Sequence, residues 1–127
     1  MINITQTPEY TIVLISFLTL KHFLADFPLQ SDWMISQKGY YGKPGGIVHA
    51  TVHGIFSFLI VCLFAPQVAF LFGLIDAIVH YHIDYVKMRV GKINKYTPKN
   101  KEFWMLIGFD QYLHYMTYLT LIWTLVI

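Results

Sequence analysis

The sequence predicts an all-α integral membrane protein: a four-helix bundle whose N- and C-termini lie on the same, non-cytoplasmic side. Three observations predict it. Of the 127 residues, 56% are hydrophobic, 17% aromatic and only 13% charged, about half the ~25% charged residues of a soluble domain. Four apolar runs of helical length alternate with turn-rich or very short connections. All Lys and Arg but Lys21 fall in two of those connections or in the last turn of the helix that leads into one. The length suits a single domain over residues 1–127.

The first helix is expected over about 10–27, with Pro8 before it and Pro28 ending it. Its first half, TIVLISFLTL, is apolar, and its second half carries Lys21, His22 and Asp26. The N-terminal residues lack the positive region of a secretory signal, so the run is expected to be retained. A polar, turn-rich loop follows, with Lys38 and Lys43 beside the interfacial aromatics Trp33, Tyr40 and Tyr41. The second helix, over about 48–65, has His49 and His53 in its first turns. Gly54 follows, suited to close helix packing.

Pro66 leaves almost no room for a loop, so the third helix, over about 67–89, folds back as an antiparallel hairpin. It carries Gly73, a second candidate for close packing, and then the stretch DAIVHYHID, with Asp76, His80 and Asp84 at four-residue spacing. A lysine-rich loop (Lys92, Lys95, Lys99, Lys101) leads to the fourth helix, over about 102–127. Trp104 and Trp123 sit near its ends, as an aromatic belt requires, and Asp110 and His114 lie inside it. Cys62 is the only cysteine, so no internal disulfide can form.

The loops after the first and third helices, with Lys87 and Arg89, hold every Lys and Arg except Lys21. The positive-inside rule places these loops in the cytoplasm, and a bacterial inner membrane is the expected location. The basic loop is accounted for by orientation and attraction to anionic lipid. No nucleic-acid role is expected.

The ionisable residues inside the apolar runs form four sets with helical i,i+4 spacing: His22/Asp26, His49/His53, Asp76/His80/Asp84 and Asp110/His114. Such spacing stacks side chains on one helix face. At 1.5 Å per residue, alternating helix directions bring all four sets to the cytoplasmic half. Each charge at mid-bilayer costs about 2.5–3.5 kcal/mol. Four unpaired aspartates would cost on the order of 10 kcal/mol, comparable to a domain's whole stability of roughly 5–15 kcal/mol. Only Lys21 and Lys87 are expected near enough to compensate. A divalent cation held by carboxylates and neutral imidazoles resolves the deficit. The donors His22, Asp26, His49, His53, His80, Asp84 and His114 suit zinc, manganese or iron, as one ion or as two about 3.5–4 Å apart.

Simpler readings compete at several positions. His82, off the stripe, reads as a packing or interfacial histidine. Lys21 lies on a different face from His22 and Asp26 and can snorkel to the interface. Asp26 can serve a helix-end turn with Pro28. Asp76, farthest from water, has the poorest structural explanation.

The stretches HFLADFPLQ (22–30), the pair His49/His53, DAIVHYHIDYVK (76–87) and FDQYLHY (109–115) together resemble the small bacterial and phage integral membrane proteins grouped as domain of unknown function 3307. That resemblance implies a multi-pass membrane protein and no established activity. Membrane-embedded His and Asp also give a looser similarity to membrane-bound metal-dependent hydrolases, an analogy at the level of fold.

The leading expectation is a metal-dependent hydrolase acting on a lipid or lipid-linked substrate near the cytoplasmic leaflet. His49, His53, His80 and Asp84 are the expected direct ligands, with His22, Asp26 and His114 completing the site. Asp76 or Asp110 would act as base, and Lys21 and Lys87 would hold a phosphate or other anionic head group. The alternatives are a small ion- or proton-coupled transporter, which at four helices would need to form a homo-oligomer, and a structural membrane effector whose polar network only fixes packing. An iron-dependent oxidative enzyme fits less well, because the chain has no adjacent His–His pair.

Overall fold

The computed structural model describes residues 7–127, and it is all-helical among them. Residues 1–6, on which part of the expectation of a retained N-terminus rests, lie outside the described residues. The elements are α1 (Pro8–Asp26), α2 (Asp32–Gln37), α3 (Pro44–Phe64), α4 (Pro66–Ile93) and α5 (Lys101–Leu121), which runs into a π turn, Ile122–Val126.

Three of the four long helices open on proline: Pro8, Pro44 and Pro66. A proline at the first helical position lacks only an N–H that would have no partner there, and its φ is already helical. Thr7 caps α1 by accepting from the Tyr10 N–H at 3.3 Å. Pro66 follows the end of α3 and itself begins α4. Ala65 alone joins α3 to α4, its N–H bonded to the Val61 carbonyl at 2.7 Å.

The α3–α4 hairpin is drawn together at two glycines. A Cβ on Gly54 would stand 2.7 Å from the Gly73 carbonyl oxygen, and one on Gly73 would stand 2.6 Å from the Gly54 carbonyl oxygen. The two backbones touch there, as small residues permit in lipid-facing bundles. Around this hairpin α1 packs on α3, α5 packs on α4, and α5 closes back on α1.

The element count differs from expectation by α2, a six-residue helix inside the loop read as polar and irregular. Ser31 caps it, accepting from the Met34 N–H at 3.3 Å. It packs on α3 and brings the following Lys38 into the interior, where that residue is 4% exposed. The third helix also runs on to Ile93, beyond the expected 89.

The interior has two halves. Toward the α3–α4 turn it is apolar: Leu14, Leu18, Val61, Ala65, Ala69, Phe72, Leu121 and Ile122. Toward the other end it is polar, with at least one buried His from every long helix, Asp from α1, α4 and α5, and the lysines Lys21 and Lys38. Large apolar side chains also cover the outer surface, with Leu63 78%, Phe70 73% and Trp123 80% exposed. By length and composition, α3 and α4 can each cross a membrane, since about 20 mainly apolar residues span the hydrocarbon layer.

Candidate metal centre

Each long helix presents one polar stripe, because i,i+4 residues share a face. α1 contributes His22 and Asp26, α3 His49 and His53, α4 Asp76, His80 and Asp84, and α5 Asp110 and His114. All nine are buried.

The stripes meet most closely at Asp26. Its Oδ1 lies 3.0 Å from His49 Nε2, 3.0 Å from His53 Nε2 and 3.6 Å from His80 Nε2. His49 Nε2 and His80 Nε2 are 3.1 Å apart, and all four donors lie within 4.8 Å of one another. Metal–ligand bonds of about 2.0–2.1 Å imply donor–donor edges of about 3.3–3.4 Å in a tetrahedron. The observed separations bracket that edge.

Proton positions point the same way. A neutral imidazole carries one N–H. His49 and His80 turn their Nε2 atoms toward each other, so only one of the two can carry the proton between them, and the other directs a lone pair inward. His80 Nδ1 is buried without a hydrogen-bond partner, so no neighbour fixes its tautomer. Its proton can reside on Nδ1 while Nε2 binds a cation. The His53 ring is held differently: Lys21 Nζ lies 3.2 Å from its Nδ1. An ammonium donating there leaves the proton on Nε2. Cation binding at His53 would move that proton to Nδ1 and leave Lys21 on its other two acceptors, the His53 carbonyl (3.2 Å) and Asp76 Oδ2 (2.7 Å). With that adjustment, three imidazoles and one carboxylate fit a divalent metal.

Charge singles out the same residue. Asp76 pairs with Lys21 at 2.7 Å, Asp84 with Lys38 at 2.6 Å and Asp110 with Lys87 at 3.1 Å. Asp26 has no lysine within 4.0 Å among the described residues and is enclosed by imidazoles, with His22 Nε2 at 3.1 Å from its Oδ2. A buried carboxylate needs a compensating charge. Asp26 alone is left for a cation or an imidazolium.

A second group lies beside the first. His114 Nε2 is 3.3 Å from both Asp84 Oδ1 and Asp110 Oδ1. The two groups touch through Asp84 Oδ2, 3.4 Å from His49 Nε2 and from His80 Nε2. His80 also stacks between His53 and His114, with ring centroids 3.6 and 4.1 Å away.

The structure redistributes several expected parts. Asp84, expected among the direct ligands, groups with Asp110 and His114 and lies 3.4 Å from His49 and His80, while Asp26, expected to complete the site, is the carboxylate 3.0 Å from His49 and His53. Lys21 does not snorkel: it is 4% exposed and turned inward onto Asp76. Asp76 lies behind His53, also accepting from Ser57 Oγ at 2.6 Å. His82 is exposed, 3.0 Å from the Tyr41 hydroxyl.

Four participants were not among the expected residues. Ser57 supports Asp76, and Gln111 lies 2.9 Å from His22 Nε2. Tyr118 lies 2.9 Å from His22 Nδ1, and Lys38 neutralises Asp84. Gln111 adjoins Asp110 and Tyr118 is four residues beyond His114, so a helical projection of α5 could have found both. Lys38 reaches the site only through α2.

Comparison with curated proteins and with solved structures gives no match. A family model described as "Protein of unknown function (DUF3307)" matches residues 13–127, which contain every side chain of the cluster. The chain belongs to this family.

Proposed function

We propose that the chain is an integral membrane protein, with α1, α3, α4 and α5 all crossing the bilayer as one domain, and that it is a metal-dependent hydrolase of a lipid or lipid-linked substrate. The observation that carries this reading is the convergence of His49, His53 and His80 on the one buried carboxylate without a lysine, Asp26. In this reading the Lys-rich end of the molecule is cytoplasmic and both termini are outside.

Asp26, His49, His53 and His80 would hold a divalent zinc, manganese or iron ion. When bound, the ion would supply Lewis acidity and a water of lowered pKa. The protein's own residues do the rest. Lys21 and Asp76 fix the ring of His53 from behind, which is a positioning role. Asp110 and Asp84, bridged by His114, lie beside the ligand set and are the bases within reach. Of these, Asp110 lines a surface hollow of about 270 Å³ with Lys87, so it has the more open path to substrate. Lys21, engaged with Asp76, is withdrawn from the substrate role, and Lys87 keeps it.

Hydrolysis of phospholipid in detergent, with and without a chelator, tests this reading. Loss of turnover on chelation and in His49→Ala and His80→Ala supports it. Turnover that survives both removes the metal, and no turnover on any lipid class removes the hydrolase.

The stacked row His53–His80–His114 favours a second reading, proton-coupled transport along an imidazole chain joining two buried Asp–Lys pairs. Proton flux in liposomes that falls in His80→Ala while no lipid is hydrolysed would select it.

A further inference from the structure

The most basic part of the molecule is also a cavity. A cleft of about 600 Å³ lies where α2 and the chain after it meet the last turns of α4 and the start of α5. Lys87, Lys92 and Lys95 line it together with Tyr40 and Tyr96, and no carboxylate lines it. Its other wall is apolar, with Met88, Phe103, Leu106 and Ile107. A cationic rim over an apolar wall matches a molecule with an anionic head and a hydrocarbon tail, and the volume is that of a ligand site.

Lysines near a helix C-terminus have an ordinary explanation in the helix dipole, and Lys92 conforms to it. Lys95 does not. The α4 helix ends in a Schellman motif: the Tyr96 N–H bonds to the Gly91 carbonyl at 2.9 Å and the Lys95 N–H to the Lys92 carbonyl at 3.2 Å. The residue at the left-handed position of that motif is normally glycine. Here it is Lys95, with φ 54°, the sole non-glycine with positive φ among the described residues. An L side chain is disfavoured in this conformation. A strained residue whose side chain lines a cavity points from the outlier to a function. Lys92 is held over the cleft by Tyr40, to whose hydroxyl it donates.

We propose that this cleft binds the head group of a phospholipid of net negative charge, with Lys92 and Lys95 on the phosphate and the acyl chain along Phe103 and Leu106. Lys87 reaches from the cleft to Asp110 at 3.1 Å, so a lipid seated there adjoins the His/Asp cluster. As the identity of a substrate, the inference rests on the hydrolase reading. As a binding site it stands without it.

The test uses the purified full chain and short-chain lipids that dissolve as monomers, so that binding is measured apart from membrane insertion. Dihexanoyl phosphatidylglycerol should bind about tenfold more tightly than dihexanoyl phosphatidylcholine, and the gap should narrow with salt. Lys95→Gly is the decisive variant, because glycine suits the left-handed position. It should leave thermal stability equal or higher while weakening phosphatidylglycerol binding about fivefold. Equal affinity for the two lipids, or full affinity in Lys95→Gly, overturns the site. Inorganic phosphate competing as well as the lipid overturns the lipid as its occupant. Alkaline extraction of the protein from membranes would overturn the membrane reading alone, and the soluble-lipid measurement would still decide the cleft. Binding that persists in Asp26→Ala separates it from the metal reading.

Discussion

The two halves of the interior are built on opposite principles. Toward the α3–α4 turn, Leu14, Leu18, Val61, Ala69 and Phe72 meet with no polar atom to satisfy. Toward the other end, Asp26, Asp76, Asp84 and Asp110 each depend on a specific neighbour. In the first half a side chain is replaceable by anything apolar of similar volume. In the second, removing one partner strands the other as a buried charge. Organisation of that second kind is costly to maintain, and it is confined to the basic end of the molecule.

The contrast is sharpest at Lys21. Lys21→Ala should destabilise by about 3–5 kcal/mol, because Asp76 loses its ammonium. The double variant Lys21→Met, Asp76→Leu should recover most of the loss. Denaturation in detergent checks both, and a Lys21→Ala cost no greater than that of a surface lysine would break the comparison. In the apolar half, Leu18→Ala should cost about 3 kcal/mol through the cavity it leaves, and Leu18→Met well under half of that.

Between the halves lies the Gly54–Gly73 contact. Gly54→Ala places a methyl group 2.7 Å from the Gly73 carbonyl oxygen and should cost about 1–3 kcal/mol by prising the hairpin apart. Because His53 adjoins Gly54, the same variant should weaken metal retention, which metal analysis would read. The smallest effect is at the rim. The Lys92 ammonium beside the Tyr40 phenol holds its titration below the usual phenol range. Lys92→Ala should move that titration upward, read as a shift of the tyrosinate absorbance to higher pH that is absent in a Tyr40→Phe background.

Much of the polar half was legible in the sequence, because helical period fixes which residues share a face before any tertiary contact is known. Residues four apart, such as His49 and His53, had to point the same way. What period cannot rank is which of several residues at one depth comes nearest. Asp84 and Asp26 were equivalent on that criterion, and packing against α3 brought Asp26 into the ring of imidazoles. Lys21 is one residue before His22, about 100° around the helix, so its turn toward Asp76 depended on the neighbour it met. Lys38 was out of reach of such reasoning: it sits in a loop, and only the short helix capped by Ser31 carries it inside. The Ser31–Asp32 start was the available sign of that helix. In the apolar half, hydrophobicity did not say which side chains are buried or against what, since surface and core side chains share one composition.

The central claim is that Asp26, without a lysine and ringed by three imidazoles, marks a metal site. Element-specific analysis of the purified chain, beside Asp26→Ala and Leu18→Ala, tests it most directly. The account predicts about one divalent metal per chain in the wild type, retained in Leu18→Ala and lost in Asp26→Ala. A metal-free wild type, or an Asp26→Ala protein with undiminished metal, would contradict it.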